Sequence, residues 1–462
     1  MQTLAPTLAD TLRQRRQKLA QLVDVPVMLW SGEPSPRNFP ANIYPFRASS
    51  HFLYFVGLPL PQAAVHLAEG QLTLFVDEAT PAEALWHGPT PTRADLAEKI
   101  GADAAFPLAQ LKDFLKGQLA DVATLPALDI RAARSQRRHL DRKAALTQGT
   151  ADRALAKAMV QLRMVHDEGA IASIRSAAAV SVEAHQTGMA VTPTAATEAQ
   201  IRAAMESVIM ANGMTCAYNS IVTTHGEVLH NEHYHHVLRP NDLILADVGA
   251  ETASGWASDI TRTWPVSGQF SPTQRDLYDV VLAAHDACIG AAKPGVEYRD
   301  LHLLACRVLA EGLVSLGLLN GHPDSLVEQD AHALFFPHGV GHLLGLDVHD
   351  MEDLGDLAGY ARGRRRSDRF GLCFLRLDRP LQAGMVVTIE PGFYQVPGLL
   401  GDPARREQHR HTVNWDRLAH FADVRGIRIE DDVLITASGN EVLTEVLTTQ
   451  ASDIEAFVQG VR

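Results

Sequence analysis

Cysteine is scarce in this 462-residue chain, and the four that occur (Cys216, Cys288, Cys306 and Cys373) form no CxxC pair. Their scatter argues against a disulfide framework and a thiolate metal centre, and it fits free thiols in a reducing compartment. Long hydrophobic runs are missing too. No stretch approaches the ~18 uninterrupted apolar residues of a membrane-spanning helix. The N-terminus, MQTLAPTLADTLRQRRQKLAQLV, has an amphipathic helical pattern carrying Arg13, Arg15, Arg16 and Lys18, and it holds no apolar core of a secretory signal. Basic charge is in deficit: 41 Lys and Arg face 54 Asp and Glu, for a net charge of −13. Such a chain repels phosphate backbones and anionic lipid, which argues against nucleic acid and membrane as partners. The expected location is the cytoplasm.

What is present reads as an ordinary globular composition, 46% hydrophobic and 21% charged. The length exceeds what one hydrophobic core usually serves, so two domains are expected, with the boundary between residues 160 and 161. In the first, VPVMLW (25–30), LYFVGL (53–58) and QLTLFVD (71–77) read as strands. DLAEKI (95–100) and LAQLKDFLKGQLADV (108–122) read as amphipathic helices between them. No convergent cluster of titratable residues is visible there. Residues 151–186 carry apolar positions at helical spacing with no interrupting proline, predicting one nearly continuous helix. Beyond it a plan recurs: Pro193 or Pro294, a short gap, then an amphipathic helix ending at Gly213 or Gly317. The fold class expected is α/β (α+β), with a second domain built from duplicated halves.

Chemistry concentrates in that second domain. LILADVG (243–249) reads as a buried strand ending in Asp247. Twelve residues later Asp259 stands in WASDITRTW (256–264), a second strand that would bring the two carboxylates together if antiparallel to the first. PHGVGHLLGLDVHD (337–350) supplies His338, His342 and His349. MVVTIEPG (385–392) places Glu390 at the end of an apolar run, and GIRIEDDVLI (426–435) places Glu430 on another. Taken singly, each has a plain structural reading: a turn aspartate, a strand end before proline, a solvated acidic edge, a loop histidine. Their conjunction on one predicted sheet reads differently. Burying four carboxylates together is costly unless cations neutralise them. Four carboxylates and one imidazole form a hard, oxygen-rich set suited to two divalent ions of the Mn, Co or Zn kind.

DVG…SDITRT, PHGVGHLLGLDVHD, TIEPGFY and GIRIEDDVLIT together resemble the metallopeptidases of the pita-bread fold, which include methionine aminopeptidase, aminopeptidase P and prolidase. NIYPFRASSHFLYFVGLPLP in the first domain is similar to their proline-specific branch. The resemblance implies a creatinase-like α/β domain over 1–160 and a pita-bread catalytic domain over 161–462. It implies Asp247, Asp259, His342, Glu390 and Glu430 as ligands of two divalent ions, Mn2+ first with Zn2+ or Co2+ as alternatives, and Asp259 and Glu430 as the bridging pair. The two aspartates stand one residue further apart than is common in the family, implying a longer turn around Ala253. His230 in VLHNEH matches a histidine that stabilises the tetrahedral intermediate, and His349 one at the substrate carbonyl. Arg428 lies beside Glu430, and His338, Tyr218 and Thr261 stand behind the ligands. His233, His235 and His236 are read as loop residues. The implied activity is hydrolysis of the bond preceding proline by a hydroxide between the metals, with Glu390 taking its proton.

Arg376, fourteen residues before Glu390, matches the prolidase arginine that holds a substrate carboxylate, a task that suits its planar fork. The implied substrate is therefore an Xaa-Pro dipeptide, the alternative being aminopeptidase action on longer peptides. A metal-free hydrolase or a non-catalytic binding module of the same fold is the remoter reading, and the five retained ligands count against it. Trp86 in EALWHGP matches a tryptophan that caps a partner subunit's site, its plainer reading being packing. The family also implies a homodimer or a larger homo-oligomer.

Overall fold

Short apolar runs become strands where neighbours pair with them. Two of the three predicted in the first part do so, as Val27–Trp30 and Gln71–Phe75. The computed structural model describes residues 7–117, 119 and 122–460. The chain divides into two units, Met1–Met164 with Ala253–Gly255, and Val165–Thr252 with Trp256–Arg462. In the first, five strands run in the spatial order Ala104–Phe106, Gln71–Phe75, Ala64–Ala68, Val27–Trp30, Ala123–Thr124. The three central strands are antiparallel and the outer two run parallel to their neighbours. Met28, Ala64, Phe75, Leu111 and Leu115 form a core on this sheet.

Three expectations are corrected in or beside this unit. LYFVGL lies in a helix, Ser50–Val56, all seven residues of which are buried, and the chain leaves it at Gly57. An unbroken apolar run fits a buried helix as well as a buried strand, and periodicity cannot separate them. The segment 108–122 is not one helix: a 3-10 turn, Leu108–Gln110, leads into a single turn, Leu111–Phe114, while Gln118, Ala120 and Asp121 lie outside the described residues. The helix expected over 151–186 is two, Ala151–Arg163 and Glu168–Val191. The break comes at Asp167, whose side chain accepts from the Ala170 amide. Next to it the His166 amide donates to Gly384 O (2.9 Å) instead of continuing the helix. An aspartate able to cap competes with helix propagation, and tertiary bonds settle the outcome.

The second unit carries the expected duplication. The helices Glu168–Val191 and Glu198–Ala211 precede a sheet of Thr261–Pro265, Leu243–Asp247 and Ile221–Thr223. The helices Pro272–Ala291 and Tyr298–Ser315 precede a sheet of Val386–Ile389, Asp431–Ile435 and Asn440–Val442. All strand pairs in both sheets are antiparallel. Leu243–Asp247 is buried throughout, and each burial of a Leu or Ile side chain contributes about 1.5–3 kcal/mol that helps offset placing a carboxylate at its end. Glu430 falls between two strands rather than within one. Gly426–Arg428 pairs with Gly392–Tyr394, and the chain then crosses to the sheet containing Asp431–Ile435. At the crossing the Glu430 amide donates to Thr261 O (3.0 Å), an isolated backbone bridge between the two halves.

Two glycines set the spacing of the site motifs. A Cβ on Gly249, directly after Asp247 and Val248, would lie 1.8 Å from Ser258 O, so only glycine lets the strand ending at Asp247 lie against the segment leading to Asp259. Gly341 has φ +152°, and a Cβ there would meet the Tyr298 hydroxyl at 2.2 Å and Thr388 O at 2.3 Å, which seats His342 against the strand Val386–Ile389.

Candidate metal centre and substrate pocket

Asp259 is buried two residues before the strand Thr261–Pro265 rather than on it. In register, Thr261 stands opposite Asp247. Because Thr261 also bridges to Glu430, strand ends from both halves meet at one point. One donor atom each from Asp259, His342 and Glu430 lie within 4.8 Å of one another, the one cluster of three or more His, Cys, Asp or Glu donors among the described residues. Glu390 joins them, with Oε1 3.6 Å from His342 Nε2, and Asp259 Oδ2 lies 3.3 Å from the same nitrogen. Asp247 lines the same pocket with Oδ2 turned to Arg428 Nη2, while its Oδ1 is buried without a hydrogen-bond partner.

The donor chemistry fits divalent cations. His342 Nδ1 lies 3.0 Å from Leu343 O, and a carbonyl only accepts, so Nδ1 carries a proton and Nε2 presents its lone pair to the carboxylates. Two acceptors facing each other at 3.3 Å need a positive charge between them. The carboxyls report the same deficit. Burial, with Asp247 beside it, pushes Asp259 up to about 7. Glu390 keeps 15% of its side chain exposed, yet burial pushes it to about 7 as well. Burial, and then Asp259, drive Glu430 well above the usual carboxylate range. Burial also lowers His342, favouring the neutral imidazole that a cation would need.

A second set of contacts orients these groups. The Tyr218 hydroxyl donates to Asp259 Oδ1 (2.6 Å) and the Thr261 hydroxyl to Glu430 Oε2 (2.6 Å). Arg428 Nε donates to Thr261 Oγ1 (2.9 Å) and its Nη1 to the Tyr394 hydroxyl (3.0 Å). That hydroxyl lies 2.8 Å from His338 Nε2, and His338 Nδ1 lies 2.8 Å from Gly339 O. The carbonyl fixes the tautomer: Nδ1 donates to it, and Nε2 accepts from Tyr394. Burial holds the His338 ring neutral, lowering it to about 3.

These groups line a cavity of ≈ 350 Å³, within the size range of small-ligand sites. His230 stands exposed on its wall, on a loop anchored by Asn231, whose amide donates to Thr223 Oγ1 (2.8 Å). The His349 ring packs 4.3 Å from that of His342, centroid to centroid, and its Nδ1 donates to Glu352 Oε2 (2.6 Å). Arg376 lines the cavity and donates from Nη1 to Glu352 Oε1. Trp86 belongs to the first unit, on the helix Pro81–His87, and its side chain is 80% exposed. Packing within its own unit therefore does not account for it. His233, His235 and His236 lie on the loop after His230, where the rings of His225 and His236 stack at 4.0 Å and His236 Nδ1 reaches the buried Glu198 (2.8 Å).

Several participants escaped the sequence reading. The acidic run at 430–432, whose plain reading is a solvated edge, is wholly buried. Asp432 accepts from the Ser258 hydroxyl (2.7 Å) and the Asp259 amide (3.1 Å), and Asp431 accepts from Arg262 (2.7 Å). The usable signal was three acids inside an apolar strand, a pattern tolerable only with internal partners. Tyr394 and Glu352 carried no comparable mark.

Against known proteins, the family model of metallopeptidase family M24 matches residues 172–437, and that of the aminopeptidase P N-terminal domain matches residues 12–125. The chain is 32% identical over 448 residues to the Xaa-Pro dipeptidase of Homo sapiens, covering 94% of this chain and 88% of that protein. It is equally 32% identical, over 429 residues, to a probable Xaa-Pro aminopeptidase of Tuber melanosporum (strain Mel28), covering 90% and 88%. Among solved structures, aminopeptidase P from E. coli with the inhibitor Pro-Leu superposes with a TM-score of 0.79 at 28% identity, covering 98% of each chain. Pseudomonas aeruginosa aminopeptidase PepP does so with a TM-score of 0.77 at 30% identity, covering 99% of each.

Proposed function

The chain belongs to metallopeptidase family M24, and from that premise we propose that it hydrolyses the peptide bond preceding proline, with Xaa-Pro dipeptides as its preferred substrates. The observation that carries the reading is the convergence of Asp259, His342, Glu390 and Glu430, with Asp247 beside them, on one small pocket that Arg376 also lines. Asp247, Asp259, His342, Glu390 and Glu430 would hold two divalent ions, manganese foremost. Bound there, such ions lower the pKa of a water and polarise the carbonyl under attack.

The chain's own groups do the rest. Tyr218 and Thr261 hold Asp259 and Glu430 in ligating orientation by hydroxyl donation, and Arg428 holds Asp247. Glu390, raised to about 7 before any cation binds, takes the proton of the attacking water. His230 donates toward the carbonyl oxygen where negative charge develops, a preorganised arrangement of the kind that dominates such catalysis, and His349, its Nδ1 proton held by Glu352, borders the same carbonyl region. His338, fixed between Gly339 and Tyr394, lines the proline side. Arg376 pairs with the free carboxylate of a dipeptide, which longer peptides lack at that position. Of the three arginines lining the pocket, Arg366, Arg376 and Arg428, the last is engaged by Asp247 and Tyr394.

No helix among the described residues is long and apolar enough to cross a membrane, which suits a cytoplasmic enzyme acting on small peptides. Exposed Trp86 and its neighbour Leu85, 79% exposed, suit a homodimer in which that helix meets the partner. The test is to dialyse the protein against chelator, restore Mn(II), and compare Ala-Pro with Ala-Pro-Ala. Metal-dependent turnover with the dipeptide faster supports the reading. Faster release of alanine from the tripeptide assigns the chain to the aminopeptidase side, and no metal-dependent turnover removes the peptidase assignment.

A further inference from the structure

Glu352 occupies a place for which the reaction itself supplies no need. One of its carboxylate oxygens accepts from His349 Nδ1 (2.6 Å), and the other accepts from Arg376 Nη1. It thereby joins two pocket-lining groups with different duties, one at the scissile carbonyl and one at the substrate's carboxylate end. The backbone is bent to bring this about. Met351, immediately before it, has φ +59°, a left-handed conformation that a residue with a side chain adopts only under strain. Met351 is completely buried, so packing holds the bend, and the Glu352 amide closes it by donating to His349 O (3.2 Å). Strain held by packing beside a pocket, with the next side chain delivered to two pocket groups at once, points to a functional placement.

We propose that Glu352 is the positioning residue that makes this pocket selective for a free carboxyl terminus, by clamping Arg376 and His349 to one another. The inference rests on the Xaa-Pro peptidase reading above. Among the described residues Glu352 is the one hydrogen-bond partner of Arg376, which it engages through a single nitrogen, leaving the Nε–Nη2 edge as a fork for an incoming carboxylate. An arginine without that anchor would have to be ordered by each substrate, and immobilising a long flexible side chain weakens binding. On the other side the carboxylate fixes the His349 tautomer, with Nδ1 protonated toward Glu352 and Nε2 toward the pocket. The carboxylate also offsets part of the positive charge of Arg376, so free anions without a proline ring gain less from entering. The substrate class selected is a short peptide whose proline is C-terminal.

The experiment compares wild type, Glu352→Gln, Glu352→Ala, Arg376→Ala and the Glu352→Ala/Arg376→Ala double variant in the Mn(II)-loaded protein, with Ala-Pro and Ala-Pro-Ala as substrates. Glu352→Ala is expected to raise KM for the dipeptide about tenfold while moving KM for the tripeptide less than about twofold, and to lower kcat for both by about tenfold through His349. Glu352→Gln, which retains one acceptor, falls between wild type and Ala. In the Arg376→Ala background, Glu352→Ala causes no further loss of dipeptide preference but still lowers kcat. A merely structural Glu352 would shift Tm and scale both substrates together; equal changes in the two KM values, or additive losses of preference in the double variant, overturn the proposal. Should Glu352→Ala not fold, Glu352→Gln with unshifted kinetics overturns it as well. Wild-type activity with unaltered variants sinks this inference alone, whereas wild type that turns over neither peptide, or that prefers the tripeptide, sinks the dipeptidase reading and this proposal with it.

Discussion

Metal binding should expel protons, and the number is set by the buried carboxyls. In the cation-free fold, burial pushes Asp259 and Glu390 up to about 7 and Glu430 well above the ordinary carboxylate range, because it disfavours the charged form of each. These values lie above those of the unfolded chain. Such groups therefore stabilise the cation-free fold at low pH, an increment fully present below the ordinary carboxylate range and lost as pH rises through about 7. A divalent ion reverses the preference, since it binds the ionised form. At pH 6 a group titrating at about 7 is protonated roughly ten to one, so the three carboxyls together should release one to three protons per site. Each obligatory proton makes metal affinity climb about tenfold per pH unit below 7, or about 1.4 kcal/mol. Burial lowers His342, so the imidazole adds less to the count than an ordinary histidine would. Calorimetric titration of the chelator-treated protein with Mn(II) at pH 6, in two buffers of different ionisation enthalpy, reads the release directly. Identical apparent enthalpies in the two buffers, meaning no proton released, would refute the reasoning.

Further outcomes follow from single contacts. Tyr218→Phe removes the 2.6 Å bond to Asp259 and should weaken Mn(II) binding about tenfold while leaving the fold intact, as read by the same titration beside a Tm. Gly249→Ala would drive a Cβ into Ser258 O and should cost about 3 kcal/mol or more, with loss of metal binding, measured by urea unfolding. Asp432→Ala strands the Ser258 hydroxyl and the Asp259 amide in the interior, and should cost about 1–3 kcal/mol and lower metal affinity as Asp259 drifts. Arg376→Ala should raise KM for Ala-Pro about tenfold or more with kcat nearly unchanged, and spare Ala-Pro-Ala; an unaltered dipeptide KM discards its carboxylate role.

Much of this architecture was legible because its residues sit in patterned surroundings. LILADVG reads as a buried strand because it is a short apolar run bounded by turn residues, and it is one, Leu243–Asp247. The glycines of DVG and HGVGH read as motif letters in the sequence; the Ser258 carbonyl and the Tyr298 hydroxyl are the physical reasons they cannot change. Failures came where local pattern and tertiary partner disagree. LYFVGL is apolar throughout, so nothing in it distinguishes helix from strand until the surrounding chain closes over it. Residues 164–167 keep helical spacing, yet the Asp167 cap and the His166 amide, bonded to Gly384, take the chain out of the helix. Asp259 stands before its strand because the Asp432 carboxylate, more than 170 residues on, holds its amide. Glu352 was invisible for the same reason. Its partners come from a loop and from a residue 24 positions away, and neither spacing nor composition encodes their meeting.

The central claim concerns where cations sit, and anomalous diffraction from Mn(II)-loaded crystals addresses it most directly. The account predicts two manganese peaks in the second unit, each within bonding distance of side chains drawn from Asp247, Asp259, His342, Glu390 and Glu430, with Asp259 and Glu430 touching both. Manganese bound elsewhere, or a fully loaded crystal in which these five side chains contact no anomalous peak, would contradict it.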